Sequence, residues 1–139
     1  MCMAKIAKDY GDWMYVVFRV IVGIIFAMHG AQKFGIGSEM TPAGFAGFAG
    51  VPVWMGYLVA MTELVAGVCL VLGLFGRWAA AAGAVVMLFA WILLHSKQGL
   101  NPLANGGEAA ALNFAAFMAI MKLGNGKCSL EQAIFKKEH

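Results

Sequence analysis

An apolar run over residues 15–34 is long enough to cross a bilayer and yet carries charge. At about 1.5 Å per residue, a helix of this length spans the roughly 30 Å of hydrocarbon in a membrane. Arg19 lies inside the run, and His29, Gln32 and Lys33 lie near its far end. Because a charge inside a membrane costs about 2.5–3.5 kcal/mol on insertion scales, such a residue usually has a partner or a function.

The spacing of these residues predicts which side of the helix faces protein. An α-helix turns by about 100° per residue, so one stripe along it contains Arg19, Gly23, Phe26, Gly30 and Lys33. His29 lies at the edge of that stripe, and the other positions are mostly Val, Ile and Met. We expect the stripe to pack against protein and the remaining surface to face lipid.

Composition indicates an integral membrane protein. Of 139 residues, 62% are hydrophobic and 12% are charged, which is about half the charged fraction of a soluble domain. The net charge of +3 is typical of loops biased by membrane topology, so we expect the lipid bilayer and no nucleic acid as a partner. The first apolar run is too long for a signal peptide, and we expect it to be retained.

The three cysteines are scattered along the chain and form no C-x-x-C motif: Cys2, Cys69 and Cys128. This spacing gives no support to a thioredoxin-like or zinc-ribbon site, and we predict no metal site.

The hydropathy pattern predicts an all-α fold, a single domain over residues 1–139 that forms a four-transmembrane-helix bundle. The predicted spans cover about 13–34, 54–75, 78–95 and 108–123. Thr41 and Pro42 are a typical N-cap and first residue of a helix, so a short interfacial or re-entrant helix is predicted between spans one and two. Gly76 and Arg77 are predicted to form a tight turn, and residues 124–139 a polar tail.

The distribution of basic residues predicts the orientation in the cell membrane. Most of them lie in the N-terminal lead, the Arg77 turn, the end of span four or the tail: Lys5, Lys8, Arg77, Lys122, Lys127, Lys136 and Lys137. The positive-inside rule then places both termini in the cytoplasm, with four crossings. Several polar residues would lie toward the outer face: His29, Gln32, Lys33, Glu39, His95, Asn101, Asn105 and Glu108.

Two charges lie deep in the predicted spans, Arg19 in the first and Glu63 in the second. Their estimated depths differ by less than about 10 Å, which a long Arg side chain can largely cover. One interpretation is a structural ion pair that holds the first two spans together. The other is a proton-transfer or ligand site, and both stay open at this stage.

A second group of polar residues is predicted to form a mouth at the outer end of the bundle: His29, Lys33, His95 and Glu108. Such a mouth above an apolar bundle suits a quinone, whose carbonyls need hydrogen-bond donors and whose tail needs an apolar slot. The structural alternatives are a Lys33–Glu108 ion pair and an N-cap formed by Asn105 with Glu108. Two histidines at matching depth could also ligate a metal or haem, but two alone are weak evidence, and haem is disfavoured.

The resulting candidates fall into two groups. The candidate catalytic residues are His29, Glu63 and Glu108. The candidate cofactor-binding residues are Arg19, Lys33, His95, Asn105 and Asn113.

Four short motifs, in order along the chain, resemble the DoxX family of small four-helix membrane proteins. They are Arg19-x-x-x-Gly23-x-x-Phe26-x-x-His29-Gly30-x-x-Lys33-Phe34-Gly35, Pro42-x-x-Phe45-Ala46-x-Phe48-x-Gly50-x-Pro52, Glu63-x-x-x-Gly67, and Asn105-Gly106-Gly107-Glu108. With Arg77 closing span two, the resemblance extends from Arg19 to Leu112.

The resemblance implies a quinone-linked redox role, because the family is named for a subunit associated with thiosulfate:quinone oxidoreductase and a terminal quinol oxidase. Since the sequence has no obvious redox centre, a bound cofactor or a redox partner subunit would be required. Whether the chain is itself an enzyme stays open, as does a homo-oligomer. The alternatives are a non-catalytic scaffold or assembly subunit of a redox or stress-response complex, and a small transporter or lipid-binding bundle.

Overall fold

The computed structural model describes residues 2–136, and every regular element in them is helical, as predicted. The α-helices are α1 (Cys2–Lys33), α2 (Pro42–Ala49), α3 (Val53–Leu72), α4 (Gly76–Ala90), α5 (Glu108–Leu123) and α6 (Leu130–Phe135). A π-helical turn (Trp91–His95) and a 3₁₀ turn (Ser96–Gln98) continue α4. Lys137 and the side chains of Lys5 and Lys8, which the topology prediction uses, lie outside the described part of the chain.

Three helical segments of the described chain are long and apolar enough to cross a membrane: Tyr10–Lys33, Val53–Leu72 and Gly76–Gln98. They correspond to the first three predicted spans. The fourth, α5, begins and ends where predicted, but its 16 residues give a length of about 24 Å, less than the ~30 Å of a typical hydrocarbon core.

Two helix boundaries differ from the prediction. The segment predicted as a polar lead is helical from Cys2 onward, because it contains no proline and only one glycine to interrupt α1. At the other boundary, α3 ends at Leu72, where Gly73 adopts a left-handed conformation (φ 66°) and its N–H group bonds to the last turn. The turn therefore comprises residues 73–75, and Gly76 and Arg77 already belong to α4 rather than to the predicted turn.

The short helix α2 forms where Thr41 and Pro42 predict it. The Thr41 hydroxyl oxygen accepts a hydrogen bond of 3.0 Å from the N–H group of Gly44, and Pro42 occupies the first turn. The helix lies against α3, since a Cβ atom at Gly56 would overlap the Pro42 carbonyl group and Ala46.

Helices α1 and α3 pack backbone to backbone through three glycines. A Cβ atom at Gly23 would lie 2.8 Å from the carbonyl oxygen of Gly67, and one at Gly30 would overlap the backbone of Leu64. Gly67 in turn faces the backbone of Ala27. Small residues allow this close approach between membrane helices. All five residues of the predicted stripe are buried, which confirms its orientation: Arg19, Gly23, Phe26, Gly30 and Lys33.

The core continues between α4 and α5, where Gly83 leaves room for the ring of Phe117. That ring meets Phe26 of α1 edge to face, with centroids 4.7 Å apart, which is a favourable aromatic geometry. Phe117 therefore connects the α4–α5 pair to the α1–α3 pair.

Residues 124–136 of the predicted polar tail fold back on the bundle, at the end opposite Lys33 and His95, and residues 137–139 lie outside the described part of the chain. Asn125 and Glu131 are both 0% exposed. One carboxylate oxygen of Glu131 accepts hydrogen bonds from the Phe75 N–H group (2.9 Å) and the Asn125 amide (2.5 Å). The Ser129 hydroxyl donates to the Gly73 carbonyl oxygen at 2.8 Å. These polar side chains satisfy one another and backbone groups of the α3–α4 turn, contacts that the prediction of a polar tail did not include.

Candidate functional site

A cavity of about 700 Å³ lies between α3 and α4 and is also lined by α2, α5 and the end of α1. Its walls are mainly Ala, Val, Leu, Met and aromatic side chains. Its ionisable, hydroxyl and amide side chains are His29, Lys33, Thr62, Glu63, His95 and Asn113. An apolar pocket of this size with a few polar groups is typical of a small-molecule site.

The cavity is bordered by exposed apolar side chains on both α3 and α4. Leu58 on α3 and Val85 and Phe89 on α4 line it, and each is more than half exposed at the surface of the bundle. Since these helices are candidate membrane spans, the exposed side chains face lipid. The cavity therefore opens at the surface of the bundle between α3 and α4.

A buried ion pair between α1 and α3 forms the most strongly charged part of the cavity wall. The Lys33 Nζ atom lies 2.5 Å from Oε2 of Glu63, and Glu63 is only 3% exposed. The same ammonium group lies 4.8 Å from the centre of the Phe45 ring in α2, within the range of a cation–π interaction. Helix α2 thus covers the ion pair from one side.

The glycine contact between α1 and α3 determines which charges meet. Because Gly30 faces Leu64 and Ala60, Glu63 lies at the level of Gly30, about one helical turn from Lys33. Arg19 is eleven residues before Gly30, or about 16 Å along the helix axis. The predicted Arg19–Glu63 ion pair is therefore wrong.

Arg19 belongs instead to the polar network at the opposite end of the bundle. Its guanidinium group donates to the carbonyl oxygens of Asn125 and, at 3.2 Å, of Cys128. It is 1% exposed and does not line the cavity. The prediction from sequence did not include these partners, because they belong to the folded C-terminal segment.

The two histidines predicted at the mouth, His29 and His95, both line the cavity. The Nδ1 atom of His95 is 3.0 Å from the backbone carbonyl oxygen of Asn105. His95 ends the π-helical turn, a local widening of the helix that is frequent at functional sites.

Three predicted candidates do not line the cavity: Arg19, Asn105 and Glu108. Glu108 is exposed, so the predicted Lys33–Glu108 ion pair is wrong, because Lys33 pairs with Glu63. The predicted cap of Asn105 with Glu108 is also wrong, since Gly107 is the N-cap residue of α5 and makes no side-chain capping bond. Asn105 is buried and instead organises the loop before α5.

The structure brings the other five candidates together around one cavity: His29, Lys33, Glu63, His95 and Asn113. Asn113 donates one hydrogen bond of 2.9 Å to the Ala109 carbonyl oxygen within its own helix. Sequence reasoning missed Thr62 and Phe45 as lining residues. Thr62 directly precedes Glu63, and Phe45 stands one turn after the Thr41 cap, so only their packing shows that they face the cavity.

These features define a helical membrane protein with a buried ion pair beside an apolar cavity. The chain belongs to the DoxX family, whose family model matches residues 14–96. The matched segment contains the ion pair and both cavity histidines.

Two relatives match nearly the full length of the chain. An uncharacterized protein of Haemophilus influenzae is 34% identical over 133 residues, covering 94% of this chain and 97% of the relative. A protein of Bacillus subtilis named "Putative oxidoreductase CatD" is 32% identical over 121 residues, covering 87% of each chain. No solved structure matches the chain.

Proposed function

We propose that this protein is a membrane subunit of a quinone-linked oxidoreductase and that it binds the quinone in the cavity between α3 and α4. The observation that carries the proposal is the buried Lys33–Glu63 ion pair in the wall of a mainly apolar cavity. Buried ionisable groups in membrane helices mark ligand sites and proton relays. The name of the Bacillus subtilis relative supports an oxidoreductase assignment.

The two parts of a quinone correspond to the two parts of the cavity. The ammonium group of Lys33 supplies a hydrogen-bond donor for a ring oxygen, and His29 and His95 add groups that can exchange protons. The apolar walls and the opening beside Leu58 and Phe89 suit an isoprenoid tail that enters from the bilayer.

The chain's own residues bind and orient the quinone and hold protons near its oxygens. Interconversion of a quinone and a quinol moves two electrons and two protons. A redox partner subunit or a bound cofactor would supply or accept the electrons. In this proposal the polar groups of the cavity bind the quinone and exchange protons with it, and they carry no electrons.

The proposed topology has four crossings of the plasma membrane, with both termini in the cytoplasm. Helix α5 is the fourth crossing, supported by the packing of Phe117 in the core. Arg77, Lys122 and Lys127 then lie on the cytoplasmic side, in agreement with the positive-inside rule. The Lys33 and His95 end of the cavity faces the outer leaflet.

Mass spectrometry of the molecules that copurify with the protein tests the proposal. After purification in mild detergent and organic extraction, we expect close to one quinone per chain. Glu63→Gln and Lys33→Met should each reduce this ratio severalfold, because each change removes one charge of the pair. Glu108→Gln and Lys97→Met are matched controls, since both residues are exposed and neither lines the cavity.

Two results would contradict the proposal. If the extract contains stoichiometric phospholipid and no quinone, the cavity is a lipid site and the protein is a lipid-binding bundle. If quinone is present at the same ratio in the Glu63→Gln and Lys33→Met proteins, the quinone is held elsewhere.

A further inference from the structure

The loop between the 3₁₀ turn and α5 is folded around one buried side chain, that of Asn105, which is 3% exposed. Its Nδ2 atom donates to the Gly99 carbonyl oxygen at 2.8 Å, and its Oδ1 atom accepts from the Gly107 N–H group at 2.8 Å. Its backbone N–H group donates to the Asn101 carbonyl oxygen at 3.0 Å. Both ends of the loop are thus tied to Asn105, which fixes the direction of its own carbonyl group.

That carbonyl group determines the tautomer of His95. The Nδ1 atom of His95 lies 3.0 Å from the Asn105 carbonyl oxygen, and a carbonyl oxygen can only accept a hydrogen bond. Nδ1 must therefore carry the proton, and in the neutral ring Nε2 has a free lone pair. Because His95 lines the cavity, Nε2 is the ring nitrogen available to a ligand as an acceptor.

The cavity therefore presents two kinds of polar group to a ligand, a hydrogen-bond donor and a hydrogen-bond acceptor. Lys33 can only donate, and Oε2 of its carboxylate partner Glu63 already accepts from it. His95 Nε2 can accept. A quinone carbonyl oxygen satisfies Lys33 but not His95, because neither Nε2 nor the carbonyl oxygen has a proton to share. A phenolic hydroxyl group both donates and accepts, so the hydroxyl groups of a quinol can pair with either residue.

We infer that the cavity binds the quinol form in preference to the quinone form, with one hydroxyl group donating to His95 Nε2, and that Asn105 is the residue that positions His95. The inference rests on the proposed function and adds the redox state of the ligand. A buried polar group left without its hydrogen bond lowers affinity substantially, and we expect a preference on the order of tenfold for the quinol.

Binding of decylubiquinol and decylubiquinone to the purified protein tests the preference. Kd values for the two forms can be measured by quenching of Trp fluorescence, since Trp78 lines the cavity. His95→Phe removes the acceptor, so the quinol should lose its advantage while the quinone binds about as before. Asn105→Ala should reduce the preference. Asn101→Ala, which removes only an exposed side-chain bond in the same loop, should leave it unchanged.

Nitrogen NMR of the ¹⁵N-histidine-labelled protein gives a second, ligand-free measurement. We expect the neutral form of the His95 ring to carry its proton on Nδ1, and this signature to be perturbed in Asn105→Ala and kept in Asn101→Ala. The signal of His95 is identified by its loss in the His95→Phe variant. Unchanged signals of the remaining histidines show that this variant folds.

The outcomes separate this inference from the proposed function. If both forms bind with equal Kd values, or the quinone binds more tightly, the inference is overturned and the proposed function stands. If neither form binds, both are overturned. A His95 ring protonated on Nε2 overturns the inference whatever the Kd values are.

Discussion

The Nζ atom of Lys33 lies 2.5 Å from Oε2 of Glu63, which joins the end of α1 to the middle of α3 in a buried ion pair. Breaking a buried pair by removing one partner strands the other charge in a low-dielectric environment. We expect Glu63→Leu and Lys33→Met each to destabilise the protein by about 3–5 kcal/mol, measured by reversible unfolding in mixed SDS micelles. The double variant should lose much less than the sum of the two. Additive losses would show that the two charges do not interact.

The packing of α1 on α3 predicts that a single methyl group is costly at one glycine and harmless at another. In Gly30→Ala the added Cβ atom overlaps the backbone of Leu64, and we expect a loss of about 1–3 kcal/mol. Gly11→Ala, in the same helix with open space around it, should be neutral or stabilising by about 0.5–1 kcal/mol. The same unfolding assay measures both. Equal effects at the two positions would contradict the close contact.

The buried carboxylate of Glu131 predicts that the C-terminal segment contributes to stability. Glu131→Ala leaves the N–H group of Phe75 and the amide of Asn125 without this acceptor, at an expected cost of about 1–3 kcal/mol per unsatisfied group. Gln132→Ala, next to it but with an exposed side chain, should change stability by less than about 0.5 kcal/mol. Thermal denaturation in detergent compares the two, and an unchanged midpoint for Glu131→Ala would exclude a structural role.

Filling the cavity should block the proposed ligand without unfolding the protein. Ala90 lines the cavity, so Ala90→Phe places a ring in the space proposed for the quinone. We expect the quinone-to-protein ratio to fall at least severalfold. Val68→Phe, on the exposed side of α3 and away from the cavity, is the control that introduces the same ring and should keep the ratio. If both variants retain quinone equally, the cavity does not hold it.

Local chemistry in the sequence predicted much of the helical architecture. The Thr41-Pro42 start of α2 depends on neighbouring residues alone, so it could be recognised without the fold. The buried stripe on α1 follows from a 3.6-residue period, which the sequence displays directly.

Partner choice was harder to predict, because it depends on the register between helices. Glu63 meets Lys33 rather than Arg19 since the glycines of α1 and α3 fix how far one helix is shifted along the other. An estimate of each residue's depth from its position within its own span does not include the shift of one helix along the other. The partners of Glu131 in the predicted polar tail were missed for a related reason, because one of them is the backbone N–H group of Phe75, more than fifty residues away.

The glycine contact between α1 and α3 also limits how the molecule can move. With backbone against backbone at Gly23, Gly30 and Gly67, these two helices have no side-chain layer to compress and behave as one rigid block. The opening of the cavity beside Leu58 and Phe89 lies between α3 and α4, away from this contact. Any widening of that opening for a bulky guest therefore has to come from the contact of α3 with α4, and not from a separation of α1 and α3.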